Sequence, residues 1–350
     1  MSAVSTVGSS HWGARFTPLS LFGPPPGANR SPMICISSGM CGLFGVLRSP
    51  FADDPGRASD VFVTLGALAE ERGTDSAGLA LLGGWPGLAG PEAGGGCRVV
   101  KGRGRFSGIW RPEFLPELDR APVALGHTRW ATQGSPVEAD NASPMVVPGT
   151  AAFPGTPSAG VVATHNGDVD AAGLRSRFAL PPASGATDSE PVFQLLAGCR
   201  TTSDITGVLE SVVGRVALAW VDRARPTQVH LARGALSPLT VAVDTDQNIY
   251  WASNPRWFRE VERHTRVRFA SVVLLREGTY LKVGMERRPG RRDLPDVLTT
   301  ADFVPTARDT DLDPRVWTGF TAADADRDRA GLLHRVVERE GGTGGLLTVA

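Results

Sequence analysis

The sequence predicts an α+β architecture in which two sheets stack face to face and helices lie outside them. Three observations carry this. Strand-like runs crowd both ends of the regular region, helical periodicity concentrates in its middle, and strands and helices do not alternate as they would in a doubly wound parallel sheet.

The elements read as follows. Residues 1–40 are rich in Ser, Gly and Pro, with Pro24-Pro25-Pro26 at their centre, and show neither period; they read as a flexible leader. The composition changes at Met40-Cys41. Cys41 to Leu47 is a short apolar run, read as a buried strand. Ala58 to Glu71 spaces Val61, Leu65, Leu68 and Ala69 on one helical face and stops at Gly73. Leu79 to Leu82 reads as a strand, and Gly83 to Gly96 as a Gly/Pro-rich loop. Strands follow at Cys97–Lys101, Val123–Thr128 and Val161–His165. Helices follow at Asp168–Phe178, Asp188–Cys199 and Ser203–Val213, with Pro191 tolerated in a first helical turn. Strand-like runs return at Arg215–Val221, Gln228–Ala232, Leu239–Val243, Ile249–Ala252, Ala270–Leu275 and Tyr280–Val283. The regular pattern ends there. Glu286 to Asp293 reads as a charged linker, and the last sixty residues hold one expected amphipathic helix. Thr321 and Asp324 would cap it, and Leu332, Leu333, Val336 and Val337 would form its stripe, packed on its own domain or docked to a partner. The expected organisation is therefore a leader over 1–40, a folded domain over 41–284, and a linker and tail over 285–350.

Composition narrows the function. Hydrophobic residues make up 41% and charged residues 21% of the 350, which suits a core-forming chain and excludes a wholly disordered one. Thirty-six basic residues balance thirty-six acidic ones, so no global field draws the chain to nucleic acid or to a membrane surface. No apolar run approaches the ~20 residues that span a bilayer. Met1 to Gly39 lacks an apolar core of signal-peptide length, so a cytoplasmic protein is expected. The cysteines Cys35, Cys41, Cys97 and Cys199 form no C-x-x-C pair, and no His lies at zinc-finger spacing from them; neither a disulfide scaffold nor a metal site is expected.

Four segments carry chemistry: Met40-Cys41-Gly42-Leu43-Phe44-Gly45; Arg72-Gly73-Thr74-Asp75-Ser76-Ala77-Gly78; Gly126-His127-Thr128-Arg129-Trp130-Ala131-Thr132-Gln133-Gly134; and His165-Asn166-Gly167, followed by Thr187-Asp188-Ser189-Glu190. Each alone has an ordinary explanation: a core cysteine, a turn held by an Arg–Asp pair, a stacked Arg–Trp pair, an Asn-Gly turn. Together and in order they mean more than any one of them alone. A thiol is a nucleophile once activated, and its own α-amine can serve as base if the cysteine opens the mature chain. Arginine matches a carboxylate bidentately, and Asp pairs with an ammonium.

Taken in order, these motifs resemble the class II glutamine amidotransferases, a family of N-terminal-nucleophile hydrolases. The likeness is greatest to the glutaminase domain of the sugar-phosphate branch, and it covers roughly Cys41 to Val283. The resemblance implies a four-layer αββα sandwich of two stacked, mainly antiparallel sheets. It implies Cys41 as nucleophile, with Asn166 and the Gly167 backbone N–H stabilising the oxyanion. Arg129 would hold the α-carboxylate of L-glutamine and Asp188 its α-ammonium, with Trp130 walling the site and Thr132 adding a hydrogen bond. His127 and His165 would be structural, and Arg72 and Asp75 would shape the turn near Cys41. No cofactor is implied. For Cys41 to carry a free amine, translation would start at Met40 with Met40 then trimmed, or residues 1–40 would be removed as a propeptide.

The sequence departs from the sugar-phosphate branch at Gln133, where that branch has His, and over Asn141-Ala142-Ser143-Pro144. About 65 residues follow Val283, too few for sugar-isomerase domains, so the expected ammonia acceptor is a separate synthase or ligase. Two alternatives stay open: an amidohydrolase of this fold acting on another γ-glutamyl compound, and a non-catalytic regulatory subunit.

Overall fold

The computed structural model describes residues 41–83, 96–131, 133–149, 159–286 and 294–307, together with the backbone of two strands at 336–340 and 346–349. In chain order the strands are β1 (Gly42–Leu47), β2 (Ser76–Leu82), β3 (Cys97–Arg103), β4 (Val123–Arg129), β5 (Met145–Val147), β6 (Val161–Val169), β7 (Gly214–Asp222), β8 (Gln228–Arg233), β9 (Thr240–Asp244), β10 (Ile249–Ala252), β11 (Phe269–Leu274), β12 (Thr279–Glu286), β13 (Leu294–Asp302), β14 (Val336–Glu340) and β15 (Leu346–Val349). The helices are α1 (Pro55–Ala69), α2 (Phe106–Ile109), α3 (Leu115–Arg120), α4 (Ala171–Arg177), α5 (Glu190–Leu196), α6 (Thr202–Ser211) and α7 (Pro255–His264).

The strands form two antiparallel sheets. The first has the order β11-β9-β10-β1-β4-β2-β3-β14-β15 and the second β13-β12-β8-β7-β6-β5. Strands β1, β2 and β4 are buried at every position, as strands covered on both faces must be. Strand alternation assigns the faces. Phe44 and Val46 of β1, Ala77, Leu79 and Leu81 of β2, and Ala124 of β4 pack against α1, α2 and α7 in one cluster. The alternate residues, among them Leu43 of β1 and Leu125, His127 and Arg129 of β4, therefore face the second sheet. On that sheet, Val161 and Ala163 of β6 pack against α4, α5 and α6. Val162, Thr164 and Asn166 face the first sheet. The layers are helix, sheet, sheet, helix, the αββα arrangement expected.

Local chemistry explains the helices that frame this stack. Asp54 caps α1 by accepting from Gly56 N–H, and Pro55 sits at the first helical position, where its missing N–H costs nothing. Thr201 and Asp204 form a reciprocal capping box at the start of α6. The core under α1 is aromatic: the Phe44 ring lies 5.1 Å from Phe62 and 5.4 Å from Phe106, edge-on to the latter.

The structure departs from the expected elements along the chain. β2 begins at Ser76, not Leu79. The strand ending in His165 runs on through Asn166, Gly167, Asp168 and Val169, so the next helix starts at Ala171 with Asp170 as its cap. Helix α7 was not foreseen, nor were β5 and the short helices α2 and α3. The second sheet does not end at Val283: β12 reaches Glu286 and pairs along its length with β13, which carries the folded domain past the expected boundary at 284. Val336 and Val337, expected on a tail helix, lie in β14 and pair with Gly102 and Lys101 of β3. The leader over 1–40, most of the linker, and Thr321, Asp324, Leu332 and Leu333 lie outside the described residues.

Candidate active site

The motif residues meet at one end of the space between the sheets. Cys41 immediately precedes β1, the fifth residue of which, Val46, faces the helices; Cys41 shares the parity of Leu43 and faces the second sheet. Gly42 is paired with Thr128, which sets Arg129, at the end of β4, beside Cys41. Ser76 at the start of β2 pairs with Arg129 on its other side. The turn between α1 and β2 locks this corner. Arg72 Nε donates to the Cys41 carbonyl at 2.9 Å, and the Asp75 carboxylate accepts from Ala131 N–H at 2.8 Å. Asp75 N–H in turn donates to the Arg129 carbonyl at 3.0 Å. Arg72 and Asp75 thus hold the backbone on either side of Arg129 and Cys41.

Cys41 is half-buried and its Sγ donates to the Trp130 carbonyl at 3.5 Å. Burial pushes its thiol up to about 11; the Arg129 and Arg72 guanidinium groups pull the other way, and the Asp188 carboxylate adds to the rise. Cys41, Arg129 and Asp188 therefore lie within electrostatic reach of one another. Arg129 is 5% exposed. One of its terminal nitrogens, Nη2, donates to the carbonyls of Gln133 and, at 3.0 Å, Gly134; the other, Nη1, is buried with no partner among the described residues. Gln133, where the sequence departs from the sugar-phosphate pattern, contributes its backbone carbonyl here. Trp130 is half-buried, and its carbonyl receives the thiol. Thr132 lies outside the described residues.

Asn166 is fully buried, and neither atom of its side-chain amide has a hydrogen-bond partner among the described residues. An amide with three or four unmet hydrogen bonds is costly to bury unless something else meets them. Gly167 follows with φ +146°, a conformation that other residues rarely adopt, and a Cβ there would sit 1.8 Å from the Arg215 carbonyl. An Asn-Gly pair that reads as a turn is thus a strand segment bent by its glycine, opposite Ala217 and Val216 of β7.

The supports of this strand are histidines and carboxylates. His127 Nε2 donates to the His165 carbonyl across the sheets at 2.8 Å. His165 Nε2 meets the Arg215 carbonyl at 3.1 Å and its Nδ1 meets Ser189 Oγ at 2.8 Å. Ser189 Oγ also lies 3.3 Å from Asp188 Oδ1. The buried Asp188 carboxylate accepts from Val169 N–H at 2.7 Å, which fixes it beside the end of β6. Burial raises its pKa, and His165 and Arg129 oppose the rise. Asp168 pairs with Arg215. Arg215 and Asn141 are structural contributors that sequence reasoning did not single out, and Ser189 had no role of its own within the Thr187–Glu190 motif. The one signal for Asn141 was its place in the departing Asn141–Pro144 stretch.

Two stacked antiparallel sheets, helices on both outer faces, and a cysteine leading into a central strand define an N-terminal-nucleophile hydrolase fold. No protein-family model matches the chain. It is 29% identical over 251 residues to a glutamine–fructose-6-phosphate aminotransferase (isomerizing) of Pyrobaculum aerophilum, covering 69% of this chain and 36% of that protein. It is 34% identical over 163 residues to an amidophosphoribosyltransferase of Mus musculus, covering 45% of this chain and 28% of that protein. A solved structure described as the allosteric regulatory enzyme of purine biosynthesis shares the fold, with a TM-score of 0.52 and 19% identity over 74% of this chain and 49% of that one. The chain is thus similar to part of each of these enzymes, and it spans about a third of the length of the curated relatives it matches. Among the described residues, no helix is long and apolar enough to cross a membrane.

Proposed function

We propose that the protein is a glutamine amidotransferase that releases ammonia from L-glutamine. The observation that supports this most directly is the convergence of Cys41, Arg129 and Asp188 at one buried corner, with polar atoms on Arg129 and Asn166 that find no partner among the described residues. Arg129 and Asp188 supply one positive and one negative group, the complement of a free amino acid's carboxylate and ammonium. A site so charged selects glutamine as a free amino acid over glutamine within a peptide.

The reaction then runs in two halves. The Cys41 thiol, near 11 in this environment, needs a base. The α-amine of Cys41, once free, takes the thiol proton, and sulfur attacks the side-chain amide carbon. The carbonyl oxygen becomes an oxyanion, stabilised by the Asn166 side-chain N–H and the Gly167 backbone N–H. Such a donor contributes about 3 kcal/mol to the transition state. The protonated α-amine returns its proton to the leaving nitrogen, the C–N bond breaks, and ammonia departs from a γ-glutamyl thioester. Water, deprotonated by the same amine, cleaves the thioester to glutamate and restores the thiol. Trp130 walls the site and Thr132 adds a hydrogen bond to substrate. No step calls for a metal or organic cofactor.

The ammonia is consumed by an acceptor enzyme that binds this protein in the cytoplasm, which keeps it from protonating in bulk water. A direct test is intact-mass spectrometry of the protein expressed from its native start region, before and after a glutamine-analogue electrophile. The expected result is a chain beginning at Cys41 with one covalent adduct, and no adduct on Cys41→Ala. An unlabelled mature chain that also releases no ammonia from glutamine refutes the reading.

A further inference from the structure

The two charged groups assigned to the ends of the substrate sit on separate loops, and one buried side chain joins those loops. Arg129 is held through Nη2 by the carbonyls of Gln133 and Gly134. Asp188 follows the loop 184–186. Asn141, 2% exposed, ends a 3-10 turn over Ala139–Asn141 and touches both. Its Nδ2 donates to the Ser135 carbonyl at 2.9 Å, next to the carbonyls that hold Arg129. Its Oδ1 accepts from Ala186 N–H at 2.7 Å, two residues before Asp188.

Close packing shows how firmly Asn141 spans the gap. A Cβ at Gly134, whose φ is +77°, would lie 2.8 Å from Asn141 Nδ2. A Cβ at Gly185 would lie 2.6 Å from Asn141 Oδ1. Both loops thus press against one amide at distances only glycine allows. The 184–186 loop is gripped from its other side as well. The Glu190 carboxylate, at the start of α5, accepts from Ser184 N–H at 2.7 Å and Gly185 N–H at 3.0 Å. The loop is fixed against α5 and tied to the Arg129 loop through the amide, which places Asn141 where it can set the separation of the two substrate-binding groups.

We propose that Asn141 is a positioning residue that fixes the spacing between Arg129 and Asp188 and thereby makes the site specific for a free α-amino acid. The proposal rests on the reading of Arg129 and Asp188 as the partners of the substrate carboxylate and ammonium. Asn141 touches neither the thiol nor Asn166, so its effect falls on substrate binding and selection and spares the chemistry at sulfur.

The test uses the full chain, matured to Cys41, with Asn141→Asp and Asn141→Ala. Asn141→Asp keeps the shape and the bond from Ala186, and turns an oxygen toward the Ser135 carbonyl. The expected outcome for both variants is a KM for glutamine raised at least tenfold, with kcat within threefold of the parent. The preference for glutamine over 4-aminobutanamide, which keeps the amine and amide but lacks the carboxylate, falls by at least tenfold. The rate of Cys41 alkylation by iodoacetamide, which needs neither charged group, stays within twofold. Variants that melt like the parent yet keep its KM and its preference overturn the proposal. Should the parent itself show no preference between the two amides, the assignment of Arg129 to the carboxylate fails first, and the proposal falls with it.

Discussion

His127 offers a test of how the site is built, because its effect can be isolated by pH. It lies on β4, 2% exposed, with Nε2 donating across the sheets to the His165 carbonyl. The carbonyl can only accept, so Nε2 carries the proton; Nδ1 has no partner among the described residues. A second proton on Nδ1 would place an unpaired cation in the interior beside Arg129. Burial accordingly depresses the His127 pKa from 6.5 to about 3; the bond to the His165 carbonyl opposes the fall, and the nearby Arg129 and His165 side chains add to it. The folded value lies below the unfolded one, so the unfolded chain binds the proton first and stability falls as pH drops below about 6.5. The linkage relation puts the loss at about 0.2 kcal/mol at pH 7 and about 2 kcal/mol at pH 5. The perturbation is His127→Gln, which retains an N–H donor and does not titrate. Urea unfolding of both chains at pH 7 and pH 5 is the assay. His230, also depressed to about 3, and Asp188 and Asp244, whose raised values act with the opposite sign, are common to both chains and cancel. The parent should lose about 2 kcal/mol more than the variant between the two pH values. Parallel losses would show that His127 is not held neutral by burial.

Two further outcomes follow from the geometry. Asn166→Ala should lower kcat for ammonia release by about 100- to 1,000-fold with little change in KM, as removal of an oxyanion donor does; steady-state kinetics in which kcat holds and KM rises would assign Asn166 to ground-state binding instead. Phe44→Ala removes the ring that meets both Phe62 and Phe106 under α1, and should cost about 3–5 kcal/mol in urea unfolding, with the glutamine KM unchanged wherever the variant remains folded.

Strand and helix periods alone located β1, α1, β4 and most of the second sheet, because those segments are apolar on fixed faces. They missed α7, whose apolar contacts come from only Trp257, Phe258 and Val261 among charged neighbours. They missed β13, whose Leu-Pro-Asp start and Thr-Thr-Ala end read as loop; its strand character comes from pairing with β12. Val336 and Val337 suit either a helical stripe or a strand, and pairing with β3 decides between them. The Asn166-Gly167 pair was legible as chemistry but not as structure, since the turn preference of Asn-Gly gives way to nine residues of pairing along β6 and β7. Cys41, Arg129, Asn166 and Asp188 were legible because their short motifs are distinctive. Asn141 was not, for its bond to Ala186 reaches across 45 residues of sequence, a relation that no local pattern encodes.

The Arg72 bond to the Cys41 carbonyl has a consequence for the history of each molecule. It anchors Cys41 from its C-terminal side, at an atom that a change at the nitrogen leaves in place. While that nitrogen is in a peptide bond, burial holds the thiol up to about 11, so at neutral pH it stays protonated. Peroxides and alkylating agents attack the thiolate, so a thiol held up in this way is shielded from them. On the proposed mechanism, an α-amine freed at Cys41 would switch its reactivity on by taking the thiol proton, with the Arg72 hold on the carbonyl kept.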